Sequence, residues 1–327
     1  MPYGIIALPH AAGFRSAAGR GRLSWSAERR AWAGATVIDN GRLSVAHGAW
    51  EVEFASAVGG AVSRLTWRGR DVLRPMPKTS QDVLDAGCFP MVPFANRIAD
   101  ARFRFRGREV VLPAMPRFSP HTLHGDGWQG PWTVVEGRAA LELAFVHEAG
   151  AWPWRYESRQ TLAFVGERVR LSLSLTNRSD SDMPAGLGLH PYFPVDAETR
   201  LTLKAPSAWA LAEHGAPTRL LPAGEVFDWS AGARLADGPA LDHCYAGWGG
   251  SARLSDEQRT VSVSASTNAD WAHVFAPPGE GYCCIEPVTH RPDALNAPPG
   301  ERSGLAVLAP GEALSMWMEI GVEEIAD

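Results

Sequence analysis

One carboxylate and two imidazoles stand in segments able to hold them in fixed geometry. Glu286 follows Tyr282-Cys283-Cys284-Ile285 and precedes Pro287, in a stretch that closes through Asp293-Ala294-Leu295-Asn296. An apolar run before the residue and a proline after it restrict the backbone and strip water from the side chain. Desolvation disfavours the charged form, so such a carboxylate titrates nearer neutrality and makes a better base there. His190, between Leu189 and Pro191-Tyr192-Phe193, has rigid and aromatic neighbours that limit its ring; once protonated it can donate to a substrate oxygen. His124 opens the loop His124-Gly125-Asp126-Gly127-Trp128, whose glycines permit close approach of a ligand and whose Trp128 offers a stacking face. Together these types point to acid/base chemistry. Each also has a plainer reading, as a strand-end surface glutamate or a packed histidine with a backbone partner.

Other residues could serve the same site. Asn96-Arg97-Ile98 follows turns at Pro90 and Pro93, and a guanidinium fixed there could hold sugar hydroxyls through its planar donors. Asp242 in Asp242-His243-Cys244-Tyr245 offers a carboxylate to a vicinal diol, or caps a turn. His121, three residues before His124, raises the question of a metal held with Glu286. No His-Glu-x-x-His run or third close ligand supports one, so no metal is expected. Nothing resembles a phosphate-binding P-loop, a dinucleotide fingerprint or a serine nucleophile elbow.

The elements that must position these groups read as strands. Phe103 and Phe105 alternate with arginines; Val169, Leu171, Leu173 and Leu175 alternate with Arg170, Ser172 and Ser174; Val261 and Val263 alternate with serines. Period-two alternation is the mark of half-buried antiparallel strands. Trp50 to Phe54, Ala61 to Trp67, Leu141 to His147, Leu201 to Leu203, Val274 to Phe275 and Leu314 to Val322 are further candidates, with Gly and Pro clusters between them. Many strands and few, short helices predict an all-β protein in which two large antiparallel sheets pack face to face, with the motif segments at strand ends or in loops.

With 327 residues, 45% of them hydrophobic and 20% charged, the chain can bury a core. A net charge of −5 and a pI near 6.1 supply no field for polyanions, so nucleic acid is not an expected partner. Thirteen tryptophans provide flat apolar faces of the kind sugar rings stack on, although most of them are expected in the core. The four cysteines form no C-x-x-C pair, which fits a reducing cytoplasm, and no apolar run is long enough for an ordinary membrane span. Residues 1–35, rich in Arg, Ala and Gly, are expected to form a loosely attached tail, and 36–327 a single domain.

In sequence order, Asn96-Arg97-Ile98, Leu123-His124-Gly125, His190-Pro191-Tyr192-Phe193, Leu241-Asp242, and Ile285-Glu286-Pro287 through Pro292-Asp293-Ala294-Leu295-Asn296 resemble the aldose 1-epimerase, or galactose mutarotase, family. The resemblance covers roughly residues 36 to 323. It implies an antiparallel β-supersandwich with a sugar cleft on one sheet, no cofactor, a free monosaccharide as the small-molecule partner and a monomer or homodimer. It makes Glu286 the base at the anomeric hydroxyl and His190 the acid at the ring oxygen, with His124 near the anomeric centre or ring oxygen, Arg97 and Asp242 orienting hydroxyls, and Asn96 and Trp128 as further substrate-binding residues. Two departures bear on substrate identity: no second glycine directly follows His124-Gly125, and Thr289-His290-Arg291 is inserted before Pro292-Asp293.

Three other functions compete. A hexose-6-phosphate mutarotase needs a cationic pocket, which Arg97 and Arg291 could supply. A non-catalytic carbohydrate-binding protein of the same fold would not need Glu286 and His190 together. A glycosidase using Glu286 and Asp242 would set its carboxylates about 5 to 5.5 Å apart if retaining, or about 6.5 to 9.5 Å if inverting.

Overall fold

Alternation along the chain becomes two-faced burial in the computed structural model, which describes residues 35–37, 42–135, 141–212 and 216–325. The expected tail lies, apart from Ala35, outside the described residues. In Arg168–Asn177 every second residue is buried, and Leu171 and Leu173 pair across the ladder with Met318 and Met316 of Ala313–Glu324. These side chains form one inner face of a nine-stranded antiparallel sheet. Its order runs Thr133–Val135, Leu141–His147, Tyr156–Val165, Arg168–Asn177, Ala313–Glu324, Arg259–Ala265, Ser251–Ser255, Arg200–Leu203, Ala233–Arg234.

A twelve-stranded antiparallel sheet supplies the other layer. Leu43–His47, Trp50–Ala55 and Ala61–Trp67 lead to Cys88–Met91, then Gly188–Pro194, Tyr282–Val288, Trp271–Ala276 and Leu241–Ala246, with Ser207–Leu211 and Pro217–Pro222 beyond. One cluster of buried side chains joins the two layers, with Leu171, Leu173 and Met318 from one sheet and Val52, Leu189, Val274 and Ile285 from the other. The expectation of two large sheets burying a face each therefore holds, and the one α-helical segment among the described residues is the single turn Ala223–Val226.

The central strands of the larger sheet differ from the rest because both of their faces are covered. Cys283 and Ile285 join the core between the layers, while Cys284 packs with Phe89, Tyr192 and Trp271 on the opposite face. Doubly buried strands read as continuous apolar runs rather than alternations. Gly188–Pro194 and Tyr282–Val288 are such strands, so His190 and Glu286 sit in mid-strand, not at the strand ends or loops expected from the sequence.

Candidate active site

The antiparallel register pairs Gly188 with Val288 and Tyr192 with Cys284, which sets His190 across from Glu286. Period two then turns both side chains to the face away from the inter-sheet core. His190 Nε2 lies 3.3 Å from Glu286 Oε1, and the residues are 6% and 1% exposed. Burial pushes the Glu286 carboxyl up to about 8, which His273 and Arg97 oppose and Asp242 reinforces. Burial also pushes His190 down to about 3, helped by His273 and Arg74. Between those limits the pair carries one proton and no net charge. Glu286 Oε2 and His190 Nδ1 are buried without a hydrogen-bond partner. Buried polar atoms without partners are costly, and these two belong to side chains that line a cleft.

His124 and Asn96 form a second unit on neighbouring loops. The His124 amide donates to the Asn96 carbonyl at 2.9 Å and the Asn96 amide donates to His124 Nδ1 at 3.0 Å. Both residues have positive φ, 59° and 57°, a region that His and Asn enter more readily than most residues. Because Nδ1 accepts, the neutral imidazole carries its proton on Nε2. Burial, reinforced by His190 and Arg97, holds its pKa well below the ordinary histidine range, so His124 is a fixed neutral N–H donor. Gly125 follows with φ 73°, where a Cβ would come within 2.2 Å of the Val92 carbonyl oxygen; the close approach of these loops needs glycine.

Arg97, Asp242, His273 and Asn96 form a chain of contacts along the same wall. Arg97 donates to Asp242 Oδ2 at 3.1 Å, His273 Nε2 lies 2.5 Å from Asp242 Oδ1, and His273 Nδ1 lies 3.3 Å from Asn96 Nδ2. Burial alone would raise the Asp242 pKa, but His273 and Arg97 reverse this and hold the carboxylate well below its usual range. Burial works against a proton on His273, whereas Asp242 and Glu286 favour one and prevail. The Asn96 amide oxygen accepts from the Arg97 amide at 2.8 Å, which orients the side chain. Both oxygens of Asp242 are thus engaged, a poor arrangement for the second carboxylate of a glycosidase.

The segment after Glu286 clamps the Asn96–Arg97 loop. His290, 3% exposed, accepts from the Ala95 amide through Nε2 at 3.0 Å and lies 2.7 Å from the Arg291 carbonyl through Nδ1. Asp293 donates its amide to the Arg97 carbonyl and accepts from the Ala99 amide. Thr289 exchanges hydrogen bonds with Leu187, close to His190. Thr289-His290-Arg291 and Asp293 thus tie together the chain segments that carry Asn96–Arg97, His190 and Glu286.

A compact cleft of about 170 Å³, open to solvent, faces these groups. Its lining includes Glu286, His190, His124, Arg97, Asn96, Asp242 and His273, with Phe118, Tyr192, Phe275 and Tyr282 as its aromatic surface. Six of the seven residues singled out from the sequence converge there. Trp128 does not: it is 3% exposed, its indole N–H donates to the Leu123 and Gly125 carbonyls, and its ring stacks on Phe89 behind His124. The expected stacking face for a ligand is instead a support for the loop. Arg291 is likewise unavailable as a phosphate ligand, since it is buried against Glu301 and the Pro292 carbonyl with its guanidinium over Trp209. His273 was missed by sequence reasoning. It alternates with Trp271 and Phe275 in a strand of which only Val274 and Phe275 were recognised, and its register partner is Glu286.

An all-β sandwich with a buried glutamate–histidine pair beneath a polar cleft is the class of protein these observations define. The chain belongs to the aldose 1-epimerase family, whose sequence model matches residues 42–321. It is 32% identical over 293 residues to the Escherichia coli K12 protein YphB, covering 86% of this chain and 98% of that one. A crystal structure from Escherichia coli K12, assigned provisionally as an aldose 1-epimerase, superposes with a TM-score of 0.77 at 30% identity over 86% of this chain and 98% of that chain. A galactose mutarotase-like protein from Clostridium acetobutylicum shares the fold at TM-score 0.79 and 20% identity, covering 89% and 98%.

Proposed function

We propose that the protein is a cofactor-independent aldose 1-epimerase that interconverts the α and β anomers of a free monosaccharide. The observation that carries this reading is the buried Glu286–His190 pair, 3.3 Å apart at the base of a cleft lined with hydroxyl-binding groups. Opening a hemiacetal requires removal of the proton on the anomeric oxygen and delivery of one to the ring oxygen. Glu286 as carboxylate takes the first and His190 as imidazolium gives the second, while the bond from C1 to the ring oxygen breaks and the aldehyde forms. The pair is left with its proton on Glu286 and none on His190, the distribution that burial favours in the empty cleft. Rotation about C1–C2 presents the other carbonyl face. Reclosure returns the ring-oxygen proton to His190 and gives the Glu286 proton to the anomeric oxygen, restoring the starting state.

His124, as a fixed neutral donor, and Arg97, Asn96 and Asp242 would hold the sugar ring during this exchange. A positioned acid or base contributes about 10² to 10⁴ in rate. Polarimetry of freshly dissolved α-anomers, with wild type and Glu286→Gln, tests the reading. Wild type is expected to accelerate anomeric equilibration and the variant to lose at least about 10² of that rate while keeping its fold. Normal turnover by the variant would remove Glu286 as the base. A wild type inactive on every aldose would favour a binding protein of the same fold.

One observation favours a phosphorylated sugar as the second reading. A second cavity, lined by Arg117, His121, Leu211 and His243, adjoins the cleft and shares Arg97, Arg117, Phe118 and Asp242 with it. Arg117 has no ion-pair partner among the described residues and could meet an anionic substituent. Faster turnover of 6-phosphorylated than of free aldoses in the same assay would select this reading. Four buried, unpaired thiols fit a cytoplasmic setting.

A further inference from the structure

The mechanism makes no use of the third polar side chain beside the pair. Cys284 lies two residues before Glu286 on the same strand face and pairs in register with Tyr192, two residues after His190. Ligand atoms of His190, Cys284 and Glu286 all lie within 4.8 Å of one another, and all three residues are buried. The pair beside the thiol has two buried polar atoms without partners, Glu286 Oε2 and His190 Nδ1.

We propose that His190, Cys284 and Glu286 form a three-ligand site for a thiophilic divalent cation of the Zn²⁺ type, and that its occupation blocks the proton-transfer pair. The donor set is one sulfur, one nitrogen and one carboxylate, the mixture Zn²⁺ takes at about 2.0 to 2.3 Å. Closing the observed spacing around an ion needs small side-chain rotations on paired strands and no change of fold. The sign of charge also fits. A dication with one carboxylate, one thiolate and one neutral imidazole is electrically neutral, so the assembled site escapes most of the cost of burying a charge. Binding replaces the carboxyl and thiol protons and involves no electron transfer. His190 and Glu286 face the cleft, which gives the ion a route in and leaves its fourth position towards the sugar site. The ion is an inhibitor here and not a cofactor, because it occupies the atoms that must carry the proton.

Two measurements test the site, and only the second rests on the proposed mutarotation. Titration of the reduced, metal-free protein with Co²⁺ is followed by absorbance. One equivalent should produce a near-ultraviolet thiolate-to-cobalt band that Zn²⁺ abolishes, that Cys284→Ser lacks, and that Glu286→Gln requires at least about tenfold more cobalt to reach. The other is polarimetry with Zn²⁺ or a chelator. Wild type should be inhibited by Zn²⁺ and restored by the chelator, while Cys284→Ser keeps its metal-free rate and needs at least about tenfold more Zn²⁺ for the same inhibition. Absence of a thiolate band in wild type, or a band or Zn²⁺ sensitivity unchanged in Cys284→Ser, overturns the proposal. Should Cys284→Ser fail to fold, Cys284→Ala and the Glu286→Gln cobalt titration decide. A protein without mutarotase activity that still gave the cobalt result would fail the functional reading and keep the metal site.

Discussion

Glu286 is held where its ionised form is least comfortable, and this has opposite effects on activity and stability. Its folded-state pKa, about 8, stands above the ordinary 4.5, so the folded protein holds the proton more tightly than the unfolded chain. The stability this provides is full below about pH 4.5 and disappears as pH rises to about 8. His190 works in the other direction: its folded pKa, about 3 against 6.5, removes stability as pH falls between those values. Glu286→Gln should therefore melt higher than wild type by several degrees at pH 9, a gain on the order of a few kcal/mol, and by much less at pH 5. Thermal melts at the two pH values check this. On the proposed mechanism the same carboxyl governs rate, since the pair needs one proton. With a chelator present, kcat/KM should stay level across neutrality and fall above about pH 8, as a pH–rate profile would read. At this scale the sequence was informative about types and less so about company. Glu286, His190, His124, Arg97 and Asp242 stood out by their neighbours. His273 did not, because what makes it notable is its register partner on another strand.

Secondary elements explain that difference. Strands that alternate announce themselves, as Arg168–Asn177 does with every second residue buried, and Ala61–Trp67 and Leu141–His147 have the bounds expected for them as strand candidates. The strands that carry the proton pair are covered on both faces, so alternation vanishes and the polar residues in them resemble interruptions. Loop contacts are harder still to read, because a backbone amide and its partner need bear no sequence relation. The bond from the Ala95 amide to His290 is one example. His290→Ala leaves that buried amide without an acceptor, at a cost of about 1 to 3 kcal/mol. It should also loosen Asn96 and Arg97, raising KM more than it lowers kcat. His290→Gln, whose amide oxygen can still accept, should recover part of the loss. Urea melts and steady-state polarimetry separate the two effects, since a purely structural role would lower stability without moving KM.

For the whole molecule, the sequence predicted two packed sheets and left their order open. Gly188–Pro194 is inserted between Cys88–Met91 and Tyr282–Val288, partners far away along the chain that no local pattern links. The layers share one core, and damage there should be felt as stability alone. Leu173→Ala, at a fully buried site between the sheets, is expected to cost about 2 to 5 kcal/mol and lower the melting temperature, while leaving the pH–rate profile and KM of the surviving protein unchanged. A changed profile would mean that the site is more sensitive to its foundation than the two-sheet arrangement implies.

The division of labour between strands and loops sets the terms on which this protein can diversify. The Glu286 and His190 side chains sit on neighbouring strands in mid-sheet, where a one-residue slip of either strand would turn its side chain into the core and part the pair. Asn96, Arg97 and His124 belong to connecting segments or their short edge pairing, and Arg117 lies on an exposed turn outside both large sheets. On the proposed function, substitutions in the Arg117 turn can retune which sugar is accepted while the Glu286–His190 pair beneath stays in place. If the proposed mutarotation is this protein's activity, substrate preference and reaction type can be inherited separately, and a homologue with the same strands and rebuilt loops should carry out the proposed exchange on a different ring.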